Sequence, residues 1–566
     1  MSDPVTTELI RSALQYAAEE MGLAVRNAAY SPNIKERLDH SCAIFDAHGR
    51  LAAQAEHIPV HLGSLPWGLR QTLAYLRAHG ITPGEGDMIV LNDPYIAGTH
   101  LNDITLVRPI FYHGALVAYA ANKAHHDDVG GGVPGSMNAR APELYAEGLI
   151  LPPIFLMRGG AIMDDVVRVI LANSRTPHVR EGDLKAQIAG NLVGERRVVE
   201  LLEEHGTATY ADALPAVMDL SEVRLRRAVT ALPDGSYCAE EFLEGDGLTE
   251  RRVRLAVTVT VAGDRLRLDY TGTDAQLPGA LNAVLGVTLS GVYYAVAALI
   301  DPGVPVNEGV LRAVEIHVPE GTLLNPRRPA PVAGGNVETS MRNADLLLRA
   351  LSPAVPDRAP ASSGGTMSNT IFGGQAESGP WGFYETIACG MGARPGLDGI
   401  DGIHCHMTNT LNTPIEAIER AFPVLMTRYE LRPDTGGAGQ YRGGCGITRA
   451  WRLLAGSCTL TLLTERVRLA PRGLQGGADG GRAGHAVWRS GVREALPAKC
   501  TLTVQPGDEV EVNTPGGGGL GDPYVRDRMA VRRDVRNGLV SAEAARVAYG
   551  WVEDEDAASV VPGPAS

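Results

Sequence analysis

Lysine is nearly missing from this chain: among 51 basic residues only Lys35, Lys123, Lys185 and Lys499 are lysine, and no segment gathers basic side chains. With 65 acidic residues and a formal net charge of −14, the sequence lacks the electrostatic footprint of a phosphate-backbone binder, which excludes nucleic acid as an expected partner. Cysteine is also sparse. The seven residues Cys42, Cys238, Cys389, Cys405, Cys445, Cys458 and Cys500 are odd in number and never spaced C-x-x-C. Neither a disulfide framework nor a thiolate zinc site is indicated, and a reducing cytoplasm is the expected location. Met1 to Ile10 carry Asp3 and Glu8 without a positive or apolar leader, so no secretory signal is expected. The charge-free run Ala283 to Ile300 contains Gly286, Thr288, Ser290 and Gly291 and predicts a buried core helix rather than a membrane span. No phosphate loop of the G-x-x-x-x-G-K-[ST] type occurs, Gly516 to Gly519 included, and neither a G-x-S-x-G elbow nor an H-E-x-x-H helix is present.

Glycine and proline are plentiful, 67 and 36 among 566 residues, and with 44% hydrophobic residues they imply many tight turns in an ordered chain. Asp3-Pro4 reads as a helix start, with Ile10, Leu14, Ala17 and Met21 at helical spacing. Two β-hairpins follow, Ser41 to Ala55 turning at Ala47-His48-Gly49, and Ile104 to Ala121 turning at His113-Gly114. Residues 184 to 230 read as helical, and Arg252 to Tyr270 alternates as a hairpin. From Trp381 to Pro515 strand-like runs lie between Gly-rich turns, and a final helix is expected near Ser541 to Tyr549. The expected fold class is α+β, multi-domain, with mixed hairpins, sheets and helices and a Gly-rich β region in the C-terminal half.

The informative feature is histidine. Nine of fifteen, His40, His48, His57, His61, His79, His100, His113, His125 and His126, fall between residues 40 and 126. Among them stand Asp93-Pro94-Tyr95, Thr99-His100-Leu101-Asn102-Asp103 and His125-His126-Asp127-Asp128. Mixed histidine and carboxylate donors suit zinc, manganese or iron. A two-residue turn at His113-Gly114 places Asn102 opposite His125 and Asp103 opposite Ala124, bringing His100, Asp103 and His125 to the open end of one hairpin. An unbroken register in the earlier hairpin places Asp39 opposite His57. The same residue types also serve as turn caps and solvated strand ends, and spacing does not separate the two uses. His404-Cys405-His406 would put two imidazoles on one face of a strand, a weaker metal candidate.

Beyond these residues, LDHSCAIFD (38–46), HIPVHLGS (57–64), GDMIVLNDPYIAGTHLNDITL (86–106), HHDDVGG (125–131), EGLILPP (147–153), NSRTP (173–177), GDLKAQIAGN (182–191), PVAGGNVETS (331–340), GGAGQYRGG (436–444) and PGGGGLGDP (515–523) run collinearly along the chain. In these motifs the sequence resembles the hydantoinase B family, which includes β-subunits of ATP-dependent N-methylhydantoinase and caprolactamase, the C-terminal part of 5-oxoprolinase, and metal-bearing subunits of ketone carboxylases.

The resemblance implies a division of labour. A companion hydantoinase A-like subunit of acetate-kinase-like type would bind ATP and phosphorylate the substrate, and this chain would complete the reaction at a divalent metal. The implied metal ligands are Asp39, His100, Asp103 and His125; Asp128 is the implied acid/base or supporting carboxylate; His57 and Asp93 are weaker candidates for lining the pocket, and His126 weaker still. The implied activity is ATP-coupled opening of a cyclic amide, a hydantoin, 5-oxoproline or lactam, in an α2β2 assembly. Alternatives are ketone carboxylation and a scaffold in which the metal only clamps two hairpins. The expected organisation is a metal-bearing region over 1–230, the rest of the unit over 231–526 and a helical tail over 527–566.

Overall fold

The structure is a computed structural model that describes residues 3–55, 57–377 and 379–552. Its centre is a seven-stranded sheet of β1 (His40–Asp46), β2 (Leu51–Gln54), β3 (Met88–Leu91), β4 (Asp103–Tyr112), β5 (Ala115–His125), β6 (Ile154–Arg158) and β7 (Ala161–Ile162), in the order β2-β1-β5-β4-β3-β6-β7. The helices around it are α1 (Pro4–Ala28), α2 (His61–Ala78), α3 (Pro177–His205), α4 (Thr207–Thr230), α5 (Leu285–Ala295) and α6 (Ser340–Leu351). Asp3 caps α1 as its sequence predicts, its carboxylate accepting the Val5 and Thr6 N–H groups. The helical stretch expected over 184–230 is two helices, broken at Gly206. A four-stranded sheet contains the predicted hairpin of Val253–Ala262 and Arg265–Asp269, and two further sheets of four and five strands fill the region beyond residue 369. Mixed helices and several sheets make this the α+β architecture expected. Near the C-terminus, helices Arg528–Arg536 and Ala542–Tyr549 pack around Val531, Val540 and Tyr549, and the expected tail beyond 552 lies outside the described residues.

The sheet is buried on both faces, and the strand period of two sorts its side chains. Cys42, Ile44, Ala118, Ala120 and Ala124 join Ile10, Leu14, Met21 and Val25 of α1 and Val198 and Leu201 of α3 in one core. Ala43, Phe45, Tyr119 and Ala121 face the larger core, with Leu65 and Leu69 of α2 and Val287 and Val292 of α5. Each fully buried Leu or Ile contributes about 1.5–3 kcal/mol. The charge-free run near 283–300 is a core helix, α5 followed by a wide π turn over Val296–Ile300. It comes so close to α2 that a Cβ on Gly63 would stand 2.5 Å from Ser290 N. Among the described residues no helix is long and apolar enough to cross a membrane.

Two bulges set the registers. At the β4–β5 turn His113 and Gly114 both have positive φ, 49° and 76°, as a two-residue type I′ turn requires. Tyr112 pairs with Ala115 and Phe111 with Leu116, but Ile110 pairs with Ala118, so Val117 is an extra residue. Beyond this bulge Asp103 lies opposite His125 rather than Ala124, a correction of one residue to the unbroken register. A one-residue slip exchanges the faces of a strand, so the bulge is what turns Asp103 and His125 to the same side. In the first hairpin the register shifts between Ile44 and Phe45 and β2 ends at Gln54, so Asp39 does not face His57. Its partner is on β5: His40 pairs with Ala124, and the next backbone contact is His125 N–H to Asp39 O at 3.0 Å.

Candidate metal centre

Asp39, His125 and Asp103 therefore stand in a row across β1, β5 and β4 on one face of the sheet. His100 reaches the row from the loop before β4. Lys123, fully buried, anchors that loop by donating to Ala97 O at 2.8 Å and Thr99 Oγ1 at 3.0 Å. His100 Nδ1 lies 3.3 Å from Ala333 O, a pairing that places the ring proton at Nδ1 and leaves the Nε2 lone pair free. His100 Nε2 then stands 3.0 Å from Asp103 Oδ1 and 3.1 Å from His125 Nδ1, and His125 Nδ1 is 3.2 Å from Asp103 Oδ1. All three side chains are buried. Donor atoms held about 2.1 Å from one ion are about 3.0–3.4 Å from each other, so this N, N, O triangle fits the group that the donor chemistry calls for.

The surroundings hold these donors in place. Ser41 Oγ accepts Ile58 N–H and is 2.9 Å from His61 Nδ1, so its own proton goes to that nitrogen and His61 Nε2 donates to Asp103 Oδ2 at 3.3 Å. The His125 ring stacks on Tyr384 with centroids 4.5 Å apart, and its Nε2 is buried with no protein partner. Burial would raise the Asp103 carboxyl, but His100, His125 and His61 hold it well below the usual carboxylate range. Burial would lower His100, and Asp103 outweighs it and raises the imidazole; at His61 burial wins and the pKa falls. A cavity of about 20 Å3, room for about one water-sized sphere, is lined by Asp39, His61, Asp103, His125, Asn336 and Tyr384, among others.

The other expected site residues stand elsewhere. His57 turns to α1, 3.5 Å from Glu19 and packed on His40. Asp93 caps the short helix Pro94–Ala97 by accepting Tyr95 N–H and pairs with Arg328. Asp128 uses both oxygens on its own loops, Oδ1 accepting from Gly130 N and Arg175 N and Oδ2 from Gly135 N and Arg175 Nη1. His126 points to the opposite face and meets Gln187 Oε1 at 2.9 Å; burial and Arg180 push it down to about 4. His404-Cys405-His406 is not on a strand: His404 meets Asn412 at 3.1 Å, while His406, with φ of 56°, meets Asp345 at 3.1 Å. The residues that spacing did not select are His61, Asn336 and Tyr384. His61 had a signal, since it sits four residues after His57 in the same histidine-rich motif and opens α2. Asn336 and Tyr384 come from distant segments and had none.

Comparisons with known proteins identify the family. Residues 3–523 match the hydantoinase B/oxoprolinase family. An uncharacterized protein of Methanocaldococcus jannaschii is 46% identical over 96% of this chain and 95% of its own length. The caprolactamase β-subunit of Pseudomonas jessenii is 34% identical over 98% of this chain and 96% of its own. The crystal structure of the ATP-dependent caprolactamase from that organism superimposes with a TM-score of 0.91 at 33% identity, covering 98% of this chain and 97% of the other. The buried histidine and aspartate triangle thus sits in a chain that belongs to the hydantoinase B/oxoprolinase family.

Proposed function

We propose that this chain is the metal-dependent hydrolytic subunit of an ATP-dependent cyclic amide hydrolase, acting on a hydantoin, 5-oxoproline or lactam that a companion subunit has phosphorylated. The observation that carries the reading is the convergence of His100 Nε2, His125 Nδ1 and Asp103 Oδ1 on one buried point. Asp39 lines the adjoining cavity with Asp103 and His125, and we take it as the fourth donor of a set of two histidines and two aspartates. Such a donor set without cysteine favours a catalytic over a purely structural site. When bound, a divalent ion such as zinc, manganese or iron supplies Lewis acidity, which brings the pKa of water from 15.7 to about 7.

The chain's own residues prepare the site. Asp103 is kept ionised by its histidines, so it offers a full negative charge. Ser41 fixes His61, which fixes Asp103 Oδ2 and leaves Oδ1 to the triangle. Tyr384 holds the plane of His125. Burial removes competing water and strengthens each of these contacts. Phosphorylation on the amide oxygen makes the ring carbon electrophilic; water adds to that carbon, the C–N bond breaks with a proton passing to the departing amine, and a second water releases the phosphoryl group from the resulting acyl phosphate as inorganic phosphate. The phosphorylated intermediate would hydrolyse or revert in bulk water, so the companion docks closely, as a hydantoinase A-like ATP-binding subunit in a cytoplasmic α2β2 complex. The test is reconstitution with the companion, ATP and a panel of hydantoins, 5-oxoproline, lactams and ketones. Ring opening that needs both chains and ATP supports the reading. Carboxylation of a ketone without ring opening, or ATP-dependent hydrolysis by this chain alone at the rate of the complex, contradicts it.

A further inference from the structure

The cavity at the triangle holds about one water-sized sphere, far less than a cyclic amide occupies. Immediately beside it is a second pocket of about 310 Å3, lined by Pro59, Leu62, Tyr294, Ala297, Ala298 and Val306, with Asn409 at its edge. The two share one wall. Along residues 58–62, Ile58, Val60 and His61 face the triangle while Pro59 and Leu62 face the pocket; along 407–410, Met407, Thr408 and Thr410 face the triangle while Asn409 faces the pocket. These two segments meet at a single backbone hydrogen bond, Val60 N–H to Met407 O at 3.3 Å. α5 supports the wall from behind, Ser290 Oγ donating to Val60 O at 2.6 Å, and one turn later Tyr294 lines the pocket.

We propose that this pocket is the subsite for the apolar methylene face of the cyclic amide, and that the ring reaches the triangle by parting the Val60–Met407 contact. The inference rests on the functional reading above. Its lining is chiefly aliphatic, which suits ring methylenes, and the Tyr294 hydroxyl is already engaged by His406 Nδ1 at 3.2 Å. Opening the wall breaks that one backbone hydrogen bond and separates Val60 and Met407, both buried in the larger core. It also moves the segment that carries His61, so ring entry and the hold on Asp103 are coupled.

The test uses the reconstituted complex. Ala298 is exposed at the pocket's mouth, so Ala298→Trp fills the space from outside the core. The expected result is a KM for a seven-membered lactam raised by about tenfold or more, with metal content and kcat kept. Val306→Ala removes apolar contact from the same lining and should raise the KM as well, whereas Ala298→Ser keeps the space and should leave the KM close to that of the wild type. An active wild-type complex whose KM is unchanged in both Ala298→Trp and Val306→Ala overturns the subsite while leaving the functional reading intact. A wild-type complex that opens no cyclic amide overturns both.

Discussion

Asp103 and His125 face each other across β4 and β5, with Oδ1 and Nδ1 3.2 Å apart, because Val117 is inserted opposite the Ile110–Phe111 step. Without that extra residue in β5 the two side chains would leave the sheet on opposite faces. A backbone irregularity seven residues away from Asp103, about 24 Å at about 3.4 Å per residue, thus decides the chemistry at the strand's end.

His61 and His57 belong to one motif but have separate surroundings. His61 supports Asp103, whereas His57 meets Glu19. His61→Ala should weaken metal affinity by about 10–100-fold. His57→Ala should leave it unchanged, and competition with a chelator of known affinity distinguishes the two.

Asp128 has four hydrogen bonds inside its own loops, two of them from Arg175. Asp128→Asn should therefore retain metal and lose about 1–3 kcal/mol of stability, read from denaturant midpoints. Unchanged stability with slowed turnover would return Asp128 to an acid/base role.

Gly114 has φ of 76°, and a Cβ there would meet nothing within 4 Å. Gly114→Ala tests the turn without a steric clash. It should cost about 1–2 kcal/mol through the left-handed backbone alone, with metal content preserved.

Stability should fall between acid and mildly alkaline pH at two buried carboxyls. Burial pushes Glu147 up to about 7, despite the Val332 and Ala333 N–H groups it accepts, and burial with Glu465 nearby pushes Glu338 up to about 8. Both folded values are above the ordinary 4.5, so the folded chain binds the proton more tightly than the unfolded chain. The stabilisation is complete below about pH 4.5 and is lost as pH rises through about 7 and 8. Glu147→Gln should reduce the difference between denaturant midpoints at pH 5 and pH 8. An unchanged difference would show that Glu147 does not keep its proton.

Much of this fold is legible locally. Asp3-Pro4 announces α1, His113-Gly114 announces the type I′ turn, and the charge-free run near 283–300 announces a core helix. His100, Asp103 and His125 are legible as a set because one hairpin and a three-residue spacing connect them. The bulge at Val117 carries no turn residue to mark it, so an unbroken register differs from the folded one by one residue. The placement of Asp39 depends on β1 pairing with β5, a contact between strands separated by two helices and three other strands in the chain. Asn336 and Tyr384 enter the site through tertiary packing, which no periodicity encodes.

The most direct test of the central claim is elemental analysis of the purified chain and its Asp103→Ala variant, with circular dichroism to confirm that both are folded. The account predicts about one divalent transition metal per wild-type chain and near-complete loss in the variant, because removing Asp103 takes away one donor and the negative charge that attracts the ion. A full metal complement in folded Asp103→Ala, or a wild-type chain that binds none, would contradict it.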